Sequence, residues 1–199
     1  MTDCFQPAER SYKVTYNTIK ALNELGIEYL IVTKSDLVAS DEYVEVMDKK
    51  LAHIQISVTT TDDELSKTYE KATLPSKRIA AIEKLQSLGF DVQLRCSPFI
   101  PEYIDFDVLR SVKCDKILVE FLRVNTWVRK WFDLDFDKYT LKHGGYCHLP
   151  LEEKLKYLDL IKWCGQISVC EDVPEHHKYW EDNVNNRPED CYNLRVADN

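Results

Sequence analysis

The chain has 199 residues, 44% of them apolar and 30% charged, and its 26 lysines and arginines against 34 acidic residues leave a formal charge of −8. That length supports one domain with a sizeable core or two small ones, and the composition argues against disorder of the whole chain. No apolar run approaches a membrane span, no secretory leader is visible, and no basic run offers a footprint for nucleic acid, so a soluble, cytoplasmic protein is expected.

The first ten residues, MTDCFQPAER, crowd turn-forming and functional residue types together before any helical pattern begins. Such a cluster usually follows a strand at the top of a β/α unit, so a strand is expected upstream of it. Tyr12, Tyr16, Ile19, Leu22 and Leu25 then recur at helical spacing, and Gly26 supplies a stop. IEYLIVTK is a β-branched apolar run of the kind buried on both faces of a sheet. SDEYVEVMDKKLA predicts a helix capped by Ser40, and HIQISVTT a second strand. LPSKRIAAIEKLQSLGF places Ile79, Ile82, Leu85 and Leu88 on one helical face between Pro75 and Gly89. DVQLRCS, YIDFDVLRSVK and KILVEFLRV predict a strand, a short helix and a fourth strand. Strands are thus expected at 28–34, 53–59, 91–96 and 116–122, parallel and in sequential order. Repeated strand–helix units imply a parallel sheet with right-handed crossovers.

Past Val124 the texture turns aromatic, acidic and irregular, with Gly144–Gly145 as a break. LEEKLKYLDLIKW predicts an amphipathic helix, QISVC a short strand and VPEHHKYWEDNV a short helix. The expected organisation is a β/α unit over 1–125, with an irregular, α-rich extension over 126–199 packed on the same domain.

Ligands of parallel β/α folds bind at the carboxyl ends of the strands. Those ends carry Thr33–Lys34–Ser35, then Ser57 to Thr61, then Arg95–Cys96–Ser97–Pro98, with Glu120 inside the fourth strand. The set suits an anionic small molecule bearing a ribose or carboxylate. Plainer readings stand beside it. Lys34 and Ser35 can begin a solvated loop, threonines are common in strands, and Arg95 with Glu120 can form a structural ion pair.

Seven cysteines form no C-x-x-C spacing, and their odd number argues against a full disulfide framework. Cys147, His148, Cys164, Cys170, His176, His177 and Cys191 gather late in the chain. A metal or second cluster can be built from such residues, but the spacing matches no zinc or ferredoxin pattern. The expectation is buried thiols and surface imidazoles, with no metal.

The segment TDCFQPAE, the strand ends TKS and SVTT, and Arg95-Cys-Ser-Pro98-Phe-Ile-Pro101 occur here in that order. In this the first 125 residues or so resemble radical S-adenosylmethionine (SAM) proteins related to spore photoproduct lyase and DNA repair photolyases. The tail, ISVCEDVPEHHKYWEDN to DCYNL, is similar to the far end of some of them. The resemblance implies an α/β fold, a partial (β/α) barrel with a parallel sheet. It also implies that the chain matches the later part of that barrel, truncated at its N-terminus, the missing strand lying in earlier β/α units. Family members carry there a C-x₃-C-x₂-C loop that holds a [4Fe–4S] cluster, which reduces SAM to a radical. That spacing is absent from this sequence, so the cluster is not expected to be ligated by this chain, which is expected to be inactive alone.

By the same resemblance, Thr2 and Asp3 lie near the methionine end of SAM. Lys34, Ser57, Thr59 and Arg95 face its carboxylate or ribose, and Glu9 and Glu120 are substrate-facing or structural. Residual SAM binding is expected to be weak. Expected partners are a second copy of the chain or a separate cluster-bearing half. Nucleic acid is implied by the family but unsupported by the charge. Two other readings remain: a non-catalytic remnant or partner subunit, and an unrelated β/α enzyme acting on an anionic metabolite.

Overall fold

The computed structural model describes residues 3–185. In chain order the elements are α1 (Glu9–Tyr12), α2 (Val14–Leu25), β1 (Tyr29–Thr33), α3 (Asp41–Val46), β2 (Ala52–Ser57), α4 (Asp63–Tyr69), α5 (Pro75–Ser87), β3 (Asp91–Phe99), α6 (Phe106–Ser111), β4 (Lys116–Phe121), α7 (Val128–Trp131), β5 (Leu141–His143), β6 (Tyr146–His148), α8 (Leu151–Asp159), β7 (Gln166–Val169) and α9 (Pro174–Asn183).

Five strands form one parallel sheet in the order β1-β2-β3-β4-β7. The four strands expected from the sequence are present, parallel and sequential. QISVC supplies the fifth, so the region beyond residue 125 contributes to the same sheet. Because partners are in register, side chains of one parity share a face. Ile54 pairs with Val92, Ile56 with Leu94 and Leu94 with Ile117, an apolar face against which α5 lies. The opposite face is polar: His53 pairs with Asp91, Gln55 with Gln93, and Ser57 with Arg95. Gln55 and Gln93 are buried there, joined by a side-chain hydrogen bond of 2.8 Å, and Gln93 donates to Ser168 at 3.2 Å. A fully buried amide is tolerated only when its hydrogen bonds are satisfied, and this ladder satisfies them.

Several local expectations change. On α2 Ile19 is buried, while Tyr12, just before it, and Leu25 stand in solvent. The predicted SDEYVEVMDKKLA helix stops at Val46, and Ser40 flanks it without a side-chain cap bond. The α4 helix, unmarked by apolar periodicity, is set by Asp62, whose carboxylate accepts from the N–H groups of Glu64 and Leu65. The Gly144–Gly145 break is a two-residue turn between β5 and β6, both glycines having positive φ.

Candidate functional site

The carboxyl ends of β1–β4 and β7 hold two groups of polar residues. The first surrounds Asp3. Its carboxylate accepts from Thr33 Oγ1 at 2.8 Å, from the Lys34 N–H at 2.7 Å and from the Phe5 N–H at 2.8 Å, tying the N-terminal turn onto the end of β1. Lys34 Nζ lies 2.5 Å from Glu70 Oε2. The other Glu70 oxygen pairs with Arg78, a fully buried guanidinium that also donates to the carbonyls of Ser57 (2.8 Å) and Thr73 (2.5 Å). A cavity of about 590 Å³ opens beside this group, lined by Asp3, Gln6, Arg10, Lys34, Lys71 and Thr73 among others.

The second group surrounds Arg95. It donates to Gln55 Oε1 at 2.9 Å and to Glu120 Oε2 at 2.9 Å, and Ser97 Oγ donates to the same Glu120 oxygen at 2.6 Å. The ladder shifts register between Cys96 and Phe99, which carries Ser97 to Glu120. Glu120 Oε1 accepts from Arg123 Nη2 at 2.9 Å, and Arg123 Nη1 reaches Asp172 Oδ2 at 3.1 Å. A cavity of about 250 Å³ is lined by Arg95, Glu120, Arg123 and the Cys170–Asp172 turn.

The predicted residues therefore share one end of the sheet but divide between two cavities. Asp3 and Lys34 face one; Arg95 and Glu120 face the other; Thr2 lies outside the described residues. Ser57 is buried beside Arg95 in register. Thr59 Oγ1 is 2.9 Å from the Tyr69 hydroxyl, whose pKa burial raises to about 12. Glu9 takes a structural part. Its carboxylate accepts from the N–H groups of Thr15 and Tyr16, both at 2.9 Å, and from the Tyr43 hydroxyl at 2.5 Å, so it caps α2. Burial opposes its ionisation, but these bonds prevail and lower its pKa.

Beyond Asp172 the second group continues inward. Glu171 pairs with the buried Lys154, whose pKa burial lowers; Lys154 Nζ also lies 3.1 Å from His176 Nδ1. Burial, and then the Lys154 charge, lower the His176 pKa. Buried His148 faces the same carboxylates. The late histidines were expected at the surface; His148 and His176 are instead buried in this ionic network, whereas His177 remains partly exposed. Placing QISVC in the main sheet would have found Glu171 and Asp172 by the strand-end rule. No pattern marks Arg78 or Lys154, because an isolated cation on an amphipathic helix reads as its solvated face.

The described cysteines are scattered through the fold rather than gathered at the strand ends. Cys96, Cys114 and Cys164 are buried, and burial raises each thiol's pKa, to about 11 for Cys114. Cys4, in the first turn, is likewise raised to about 11, by burial and then by the Asp3 charge. Cys147 and Cys170 are partly exposed, and Cys191 lies outside the described residues.

No family model matches the chain. An uncharacterised protein of Methanocaldococcus jannaschii is 35% identical over 115 residues, covering 55% of this chain and 42% of that protein. An uncharacterised protein of Mycobacterium tuberculosis is 29% identical over 107 residues, covering 52% of this chain and 32% of that protein. The chain thus spans less than half the length of these curated relatives. Among solved structures, spore photoproduct lyase complexed with dinucleoside spore photoproduct superposes with a TM-score of 0.56 at 17% identity, over 79% of this chain and 56% of that one. A variant of that lyase with bound AdoMet gives 0.54 at 16%, over 81% and 57%. A domain of a pyruvate-formate lyase-activating enzyme from Bacteroides vulgatus gives 0.53 at 12%, over 86% of this chain and 98% of that one. The chain shares the fold of these structures. The likeness is one of architecture, a parallel sheet forming part of a β/α barrel.

Proposed function

We propose that the chain is the cluster-less part of a radical SAM protein akin to spore photoproduct lyase, with part of a SAM pocket at the carboxyl ends of β1–β4. The observation that supports this reading most directly is Asp3, Lys34, Ser57, Thr59, Arg95 and Glu120 on one end of a radical-SAM-type sheet. In this reading Arg95 offers a guanidinium to the SAM carboxylate or ribose, and Asp3 fixes the turn beside its methionine end. SAM, when bound with a cluster, supplies radical chemistry; this chain orients the molecule and does not ligate iron. A partner of opposite make-up, bearing the cluster cysteines, would complete the site.

Calorimetry tests the pocket. Without a cluster iron for its amino and carboxylate groups to chelate, SAM is expected to bind with a Kd on the order of millimolar. Arg95→Ala is expected to weaken it by at least tenfold, since a charge-assisted contact is worth roughly 1.5–3 kcal/mol. Binding indifferent to Arg95 removes the proposed pocket. Reconstitution with iron and sulfide is expected to yield no cluster absorption on this chain alone.

A second reading, a non-catalytic subunit that docks on a cluster-bearing half, draws on the β1 edge. Among the described residues the strand is an edge of the sheet, and Leu30 within it and Ile27 just before it are exposed. Unpaired apolar edges invite strand addition. Light scattering of the isolated chain is expected to show concentration-dependent association, and a monomer over a wide range counts against this reading.

A further inference from the structure

The buried ring of His148 has no use in the SAM reading. A carbonyl only accepts, so the 3.3 Å contact between His148 Nε2 and the His143 oxygen places a proton on Nε2. The other ring nitrogen, Nδ1, faces two carboxylates, 3.8 Å from Asp172 Oδ1 and 4.0 Å from Glu171 Oε1. At those distances no hydrogen bond joins them, so the gap between the imidazole and the two carboxylates is open to a cation. His148 is 1% exposed, so the ring is held out of bulk solvent. All three donor atoms lie within 4.8 Å of one another.

We propose that His148, Glu171 and Asp172 bind one divalent transition-metal ion of the zinc class. The donor set, one imidazole and two carboxylates, suits such an ion. Ligand atoms around a tetrahedral zinc are about 3.4 Å apart, so the imidazole nitrogen must approach each carboxylate by about half an ångström, and the set, which spans up to 4.8 Å, must contract by about 1.4 Å at most to hold one ion. The outer contacts are those a metal site needs. The His143 carbonyl fixes the His148 tautomer, Arg123 holds Asp172 Oδ2, and Lys154 holds Glu171 Oε2. Glu171 Oε1 is further positioned by the N–H groups of Asp172 and Val173. The two cations take the outer oxygens and leave the inner ones to the ion, at a cost in affinity. Asp172 is exposed on the cavity that Arg95 and Glu120 line, giving the ion an entry path and an open coordination position beside the strand-end mouth. This inference stands independently of SAM binding.

Cobalt(II) added to the metal-free full chain tests it, because its visible spectrum reports geometry and a near-ultraviolet charge-transfer band reports thiolate ligation. One equivalent is expected to bind without that band, and zinc is expected to displace it. His148→Ala and the near-isosteric Asp172→Asn are each expected to weaken binding at least tenfold, with circular dichroism confirming the fold. Glu175→Gln, on the exposed start of α9, is expected to leave binding unchanged. Absence of binding up to about 100 µM cobalt (a free energy near 5.5 kcal/mol), a thiolate band, or unchanged affinity in a folded Asp172→Asn variant overturns the proposal.

Discussion

The two ends of the sheet both bury charge, but they bury it differently. At the amino end His53 Nδ1 lies 2.7 Å from Asp91 Oδ2, and Lys116 Nζ lies 2.5 Å from Asp91 Oδ1. The carboxylate is enclosed by its two partners, with Glu28 at 3.5 Å from the outer His53 nitrogen. At the carboxyl end the charges run in an open chain, Arg95–Glu120–Arg123–Asp172, along a cavity wall. A closed set holds strands together; an open chain keeps donors and acceptors facing space. The strand-end rule for parallel sheets thus has a local electrostatic counterpart here.

Arg78 is where the carboxyl end is built like the amino end, and its loss is expected to have the largest effect. Arg78→Ala removes the buried partner of Glu70 and leaves two carbonyls unpaired. Breaking a buried pair costs about 3–5 kcal/mol, measurable as a shift of the urea midpoint at constant slope. A loss below about 1 kcal/mol would show that water replaces the guanidinium and that this corner is open after all. Asp91→Asn strikes the closed set directly. Hydrogen bonds to charged groups are worth about 1.5–3 kcal/mol, and a loss in that range is expected from the same experiment.

The closed set also predicts the pH dependence of stability. His53 has its pKa raised above 6.5, chiefly by its hydrogen bond to Asp91 and against the effect of burial. A raised histidine contributes stability that is fully present below 6.5 and is lost as pH rises through the folded-state value. Burial opposes the charge on Asp91, but His53 and Lys116 prevail and depress its pKa well below 3.8. That contribution is present above 3.8 and is lost as pH falls through the depressed value. Unfolding free energy is therefore expected to decline on the alkaline side of 6.5, and His53→Gln is expected to flatten that decline. A wild-type profile unchanged by His53→Gln would remove the histidine from the account.

How much of this was legible in the sequence depended on the physical signal. Strand cores such as YLIV and ILVEF announce themselves because burial on both faces demands continuous apolar residues. The strand-end residues Lys34, Arg95 and Glu120 followed from position alone. Their division between two cavities did not, since it depends on where long side chains bend: Lys34 toward Glu70, Arg95 toward Gln55 and Glu120. Glu9 was legible as polar and prominent, but its role as the cap of α2 required knowing that the chain turns at Lys13, which has φ 53°. The ionic network around Glu171 was hidden because QISVC, only four residues long as a strand, gave no sign of which sheet it joins.

The smallest stability effect is expected at Glu120, and it is the sharpest test of the contrast between the ends. Glu120 accepts from Arg95, Ser97 and Arg123, so by bond count it rivals Asp91. Yet its side chain is 20% exposed against 4% for Asp91, and Arg95 keeps its bond to Gln55 when Glu120 is neutralised. Partly solvated pairs contribute about 0–1 kcal/mol, so Glu120→Gln is expected to cost no more than that. The same change removes the anion lying between two guanidiniums at the cavity wall. Sulfate or phosphate is therefore expected to bind the variant more tightly than the wild type, with a salt-dependent gain visible by calorimetry. A cost approaching that of Asp91→Asn, with no gain in anion binding, would mean that the carboxyl end is as closed as the amino end and that its charges serve the fold alone.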